Sequence, residues 1–189
     1  MLLVLGGCRS AHMDSSSGST GDTGPAGQTG GVEGGATAGT TSRPAGWHTL
    51  IINEFMASND GSVVNSSGDH PDWIELYNPG NSAISLGGWS MSDDPKEIEL
   101  SLLDDFLTVE AGGFLVLWAD GEPEQGPEHL SFELDISGDR IGLYTPEGTV
   151  ADSLVFLQQA SDLSAARVPD GSDTWMIAEQ PTPGESNGK

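Results

Sequence analysis

The sequence predicts an all-β fold, a sandwich or a barrel, and three observations carry that prediction. From Trp47 onward, apolar residues come in short runs, turn residues separate them every 8–12 positions, and no long stretch keeps helical spacing with caps. Leu50–Phe55 reads as the first strand. In Asp72–Asn78, Ile74 and Leu76 share one face while Trp73, Glu75 and Tyr77 share the other, as a period of two requires. Further strands are predicted at Ala83–Leu86, Gly88–Met91, Glu97–Leu102, Leu107–Val109, Phe114–Trp118, Ser131–Leu134, Arg140–Tyr144, Val150–Phe156, Ala165–Val168 and Thr174–Ile177. Phe114–Trp118 is continuously apolar and is expected to be central, covered on both faces. Thr145–Thr149 and Val168–Ser172 each pair a proline with a following glycine, the chemistry of a hairpin turn. A short helix around Gln158–Ala166 is the one helical alternative. No repeat of 20–50 residues is present.

Composition divides the 189 residues. Positions 9–46 hold 10 Gly, 6 Ser and 6 Thr and no aromatic residue, too little apolar surface to repay chain entropy, so they are expected to form a disordered linker. As a flexible coil this stretch reaches roughly 30–35 Å. Positions 47–189 hold all 12 aromatic residues and 26 acids against 4 bases, a net charge of −22. That charge excludes nucleic acid as a partner bound through a basic surface, because each phosphate approached adds repulsion.

The first eight residues, Met1 to Cys8, are too short an apolar run to cross a bilayer, which needs about 20 residues. Leu5-Gly6-Gly7-Cys8 resembles the lipobox of bacterial lipoproteins. The resemblance implies that Cys8, the sole cysteine, is lipidated and becomes the mature N-terminus. Several acyl chains, at about 0.8 kcal/mol per buried CH₂, hold a protein durably on a membrane. No basic segment precedes the apolar run, so a start upstream of Met1 is expected. Arg9, where an inner-membrane retention signal has Asp, implies the outer membrane or cell surface.

Seven motifs then carry a second resemblance. Ile52-Asn53-Glu54, Asp72–Asn78, Leu86–Asp94, Ala111–Leu117, Ser137–Leu143, Ala165–Gly171 and Pro181–Asn187 follow the order and spacing of the lamin tail domain, in its bacterial branch. The resemblance implies an immunoglobulin-like β-sandwich over 47–189, with Gly88-Trp89 as a core landmark and Trp175 to Gly184 as the last strand and exit. Animal lamin tails contact proteins and nucleic acid, but the acidity here removes the second option. Bacterial relatives often accompany secreted hydrolases as accessory domains, and within these 189 residues no further catalytic domain is expected.

Catalytic motifs are absent: there is no Gly-x-Ser-x-Gly elbow, no phosphate loop and no His-Glu-x-x-His. His48, His70 and His129 are expected on exposed loops. Calcium is the one ion the sequence suggests, because Asp60, Asp69, Asp72, Asp93 and Asp94 sit in turns with carbonyls available, the hard oxygen donors Ca²⁺ takes. None of these runs fits an EF-hand loop. Glu54, Asp72 and Glu75 are expected to cap turns or to pair with Arg140 or Arg167, since a buried carboxylate without a partner is costly. The acidic loop Asp120–Glu128 is expected to be solvated and able to present charge to a basic partner. Together these features predict a non-catalytic, lipid-anchored envelope protein displaying a module for a protein or polysaccharide. A small metal-assisted hydrolase and a purely structural envelope component are the alternatives.

Overall fold

The computed structural model describes residues 50–188. Cys8, the 9–46 stretch, Trp47 and His48 lie outside the described residues. Eleven strands follow in order: β1 (Ile51–Met56), β2 (Asp72–Tyr77), β3 (Ile84–Ser85), β4 (Ser90–Ser92), β5 (Ser101–Leu102), β6 (Thr108–Val109), β7 (Phe114–Ala119), β8 (Arg140–Tyr144), β9 (Val150–Val155), β10 (Ser164–Arg167) and β11 (Trp175–Ala178). The described residues contain no α-helix, only one 3₁₀ turn at Pro123–Gln125. An antiparallel five-stranded sheet runs β11-β10-β1-β2-β7, and an antiparallel four-stranded sheet runs β5-β4-β8-β9. A short β3-β6 pair completes the set. This is the immunoglobulin-like sandwich the motifs implied.

The core forms where the two larger sheets meet. Ile52, Phe55, Ile74, Leu76 and Leu117 from one sheet pack with Met91, Ile141, Leu143 and Leu154 from the other. Phe55 anchors the packing, its ring 4.7 Å from Phe156 and 5.7 Å from Trp175. Trp89 is buried in this cluster as expected. Gly88 before it has φ +81, and a Cβ there would approach Pro146 within 3.3 Å, so the turn requires glycine.

Four expectations change. Phe114–Trp118 is not central: β7 is an edge strand, and β1, all six residues buried, takes the centre. The run is apolar on both faces because Leu115 and Leu117 oppose Leu76 and Ile74 on the core side. On the other side Phe114 stacks on Tyr77 at 4.9 Å. The 128–130 segment blocks the open edge: Trp118 N donates to Glu128 O and Leu130 N donates to Trp118 O, both at 2.8 Å. Ser131–Leu134 makes only a bridge, Asp120 to Glu133. Glu97–Leu102 shortens to β5 because successive turns, Glu97 N to Asp94 O and Leu100 N to Glu97 O, consume its first half. The Gln158–Ala166 helix does not form, and its second half is extended as β10.

Candidate functional site

A bulge in β1 builds the site. Register shifts between Ile52 and Glu54, so Asn53 is the extra residue. The bulge lets Ile52 and Phe55 both face the core while Asn53 and Glu54 turn to the outer face. Glu54 then stands directly opposite Glu75 of β2. Two like charges at opposed positions are destabilising, and both residues are 0% exposed.

The C-terminal segment covers the pair. After β11 the chain crosses back over β10 and β1, and Pro181–Gly188 closes the outer face as a clasp. Thr182 N donates to both Glu54 oxygens, at 3.2 and 3.3 Å, and Ser164 Oγ donates to Glu54 Oε1 at 2.5 Å. Thr182 Oγ1 lies 2.9 Å from Glu54 Oε2 and 2.7 Å from Asn187 Oδ1, and its single proton serves one at a time. Glu75 accepts from Asn53 Nδ2 at 3.0 Å and from Gly184 N at 2.7 Å. A third acid, Asp170 in the β10–β11 turn, accepts from Asn53 Nδ2, Ser186 Oγ and Asn187 N.

Burial pushes the Glu75 carboxyl up to about 8, with Glu54 and Asp170 adding repulsion against the lowering effect of the Asn53 and Gly184 bonds. Burial also raises Glu54, against the bonds from Ser164 and Thr182. Burial therefore favours the protonated form of Glu75, which lessens its repulsion with Glu54. A carboxylate pair that shares a proton is acid–base equipment in principle. Here each oxygen of Glu54 and Glu75 accepts from the chain's own donors and both residues are buried, so the pair fastens the clasp.

The expected arginine partners do not serve these acids. Arg167, 5% exposed, pairs with Asp152 Oδ2 of β9 at 3.0 Å and lies 4.5 Å over the Trp175 ring. Its Nε donates to Ile52 O at 2.7 Å, and Asp152 Oδ2 accepts from Ile52 N at 3.1 Å. Ile52 lies beyond the last β1–β10 partner, Glu54 opposite Ala166, so these side chains stand in for the missing ladder. The buried Arg140 Nε has no hydrogen-bond partner among the described residues.

The five aspartates suggested for calcium fall in two places. Asp72 Oδ1 accepts from Asn59 N at 3.1 Å, and burial, with repulsion from Glu133 and Asp60, pushes Asp72 up to about 6. Asp60 and Asp69 are exposed in the loop between β1 and β2. Asp93 and Asp94 follow β4 on the other sheet; burial raises Asp93, and Asp94 Oδ1 accepts from Lys96 N. Among the described residues, no three His, Cys, Asp or Glu side chains converge as metal ligands. His70 is exposed, with Nδ1 2.8 Å from Val63 O, but His129 is not: it is partly buried and meets Asp120 Oδ2 at 2.6 Å.

Sequence reading singled out Glu54 and Glu75 and missed Asn53, Asp170, Thr182 and Asp152 as their partners or counterparts. The one available signal was the Pro181–Asn187 motif, read as an exit and not as a cover. The family model described as Lamin Tail Domain matches residues 43–157, more than half of the chain. No curated protein matches it. The matched stretch ends after β9, so β10, β11 and the clasp are supplied by sequence beyond it.

Proposed function

This chain belongs to the lamin tail domain family, and on that premise we propose that its sandwich is a non-catalytic interaction module, tethered to a bacterial envelope membrane by lipid on Cys8. The observation that carries the non-catalytic reading is the closure of the Glu54–Glu75 pair. The most acid–base-capable group of the described residues is sealed by its own chain and has no route to a substrate. An immunoglobulin-like sandwich leaves its sheet edges and loops for contact, and family members act as protein-interaction domains. The tether reading rests on Leu5-Gly6-Gly7-Cys8 and on the Gly/Ser/Thr-rich stretch behind it, which spaces a domain from a surface. The acidity of the sandwich favours a partner with basic character over nucleic acid.

Detergent phase partitioning of the full chain, expressed with a bacterial signal sequence and labelled palmitate, tests the anchor. Label and detergent-phase recovery are expected for the parent and lost in Cys8→Ser. Equal recovery of the two from the aqueous phase overturns it.

A further inference from the structure

The edge of the four-stranded sheet is built differently from the clasped face. β5 has only β4 as a sheet neighbour. Leu103 N donates to Trp89 O at 2.8 Å, and Ser90 opposes Leu102. By the alternation of an antiparallel ladder, the N–H and C=O of Leu102 therefore point away from β4. A groove of about 450 Å³ runs beside this edge, between β5 and the acidic excursion at 120–129. Its apolar lining comes from Leu100, Leu102, Pro123 and Pro127, and its charged lining from Glu99 and Asp104. Leu102 is 64% exposed and Phe106, just past the groove, is 88% exposed.

The far wall is fixed in place. His129 meets Asp120 at 2.6 Å, Ser131 Oγ donates to Leu100 O at 2.6 Å, and Ser131 N donates to Ser101 Oγ at 3.2 Å. Solvent-exposed apolar side chains beside an edge strand are a liability unless something pairs there. Glu122, Glu124 and Glu128 add negative charge along the same wall, and Lys96 is the base nearest β5 in sequence.

We propose that this groove docks an extended basic–apolar segment of a partner protein, which adds a strand beside β5, sets an apolar side chain against Leu100 and Leu102, and places Lys or Arg next to Glu99 and Asp104. The proposal rests on the interaction-module reading and supplies its partner class. Charge complementarity selects the occupant, because an acidic or neutral strand would meet uncompensated carboxylates on both walls.

Fluorescence anisotropy with the full chain and a labelled heptapeptide alternating lysine and valine tests the groove, with a glutamate–valine heptapeptide as control. Saturable binding of the lysine peptide alone is expected. Leu102→Ser and Glu99→Lys should each weaken it about tenfold, while Glu147→Lys, the same charge change on the exposed β8–β9 turn, should stay within about twofold. All three positions are exposed, and unchanged melting of each variant confirms the fold. No saturable binding, or equal weakening by Glu99→Lys and Glu147→Lys, overturns the proposal. Retention of envelope proteins separates the two readings. If the parent and the Leu102→Ser, Glu99→Lys double variant retain the same protein, the groove is wrong and the module stands. If the parent retains none, the module reading fails.

Discussion

Arg167 and the Glu54–Glu75 pair are both buried charge problems on the same five-stranded sheet, and the molecule handles them in opposite ways. Arg167 sits on the core side with its opposite charge, Asp152, at 3.0 Å, a backbone carbonyl on its Nε, Ser172 O on its Nη1 and an aromatic face beneath it. Among the described residues, no ion pair joins a cation to the glutamates on the outer face. They are neutralised by a proton and by the hydroxyl and amide donors of Ser164, Thr182, Asn53 and Gly184. The first arrangement is insensitive to pH across the neutral range, because a guanidinium does not release its proton there. The second depends on pH by construction, since one of its components is a proton that solvent can remove.

The largest effect is expected at the paired site. Arg167→Met keeps the side-chain volume over Trp175 but removes the charge opposite Asp152 and the donors to Ile52 O and Ser172 O. Breaking one partner of a buried pair typically costs about 3–5 kcal/mol. Urea unfolding should show a loss of that size at pH 8 and a smaller one at pH 5, where an Asp152 without its cation can take up a proton. A loss under about 1 kcal/mol would mean that Arg167 is held by packing alone.

These two solutions were unequally visible in the sequence. Strand alternation at Asp72–Tyr77 placed Glu75 on the face opposite Ile74 and Leu76, and the turn chemistry located both late hairpins. The partners were not visible because they depend on register and not on pattern. The extra residue at Asn53 decides that Glu54 faces Glu75, and a one-residue bulge leaves no mark in an apolar run. Asp152 reaches Arg167 across the sandwich from a strand in the other sheet, a distance no local spacing encodes. Phe114–Trp118 misled for a related reason. An edge strand with aromatic neighbours on its outer face carries the same apolar composition as a central one.

The second effect tests the proton directly. The Glu75 carboxyl moves from 4.5 to about 8 on folding. The folded state thus holds a proton that the unfolded chain releases near pH 4.5. The stability Glu75 contributes is complete below about 4.5 and is lost as pH rises through 8, a swing on the order of a few kcal/mol. Asp72, raised to about 6, adds the same sign in a lower window. The parent should therefore melt higher at pH 5 than at pH 8. Glu75→Gln cannot ionise, so it should flatten that slope whatever offset its amide introduces beside Gly184 N. A slope left unchanged would show that surface repulsion among the other acids, and not the buried pair, sets the pH response.

The smallest effect bears on the other member of the pair and should carry the opposite sign. Thr182→Val keeps the backbone N–H that serves Glu54 but deletes the hydroxyl 2.9 Å from Oε2. A hydrogen bond to a neutral acceptor is worth about 1 kcal/mol, and one to a charged acceptor about 1.5–3. Because burial raises Glu54, the missing donor should matter more once Glu54 is ionised than while it is protonated, so the variant's loss of stability should be the larger at the higher pH. Its slope would be steeper than the parent's, where that of Glu75→Gln is flatter. Thr182 Oγ1 also lies 2.7 Å from Asn187 Oδ1. A uniform loss at both pH values would assign the hydroxyl proton to Asn187, making Thr182 a brace within the clasp and leaving Glu54 to Ser164 and the Thr182 amide.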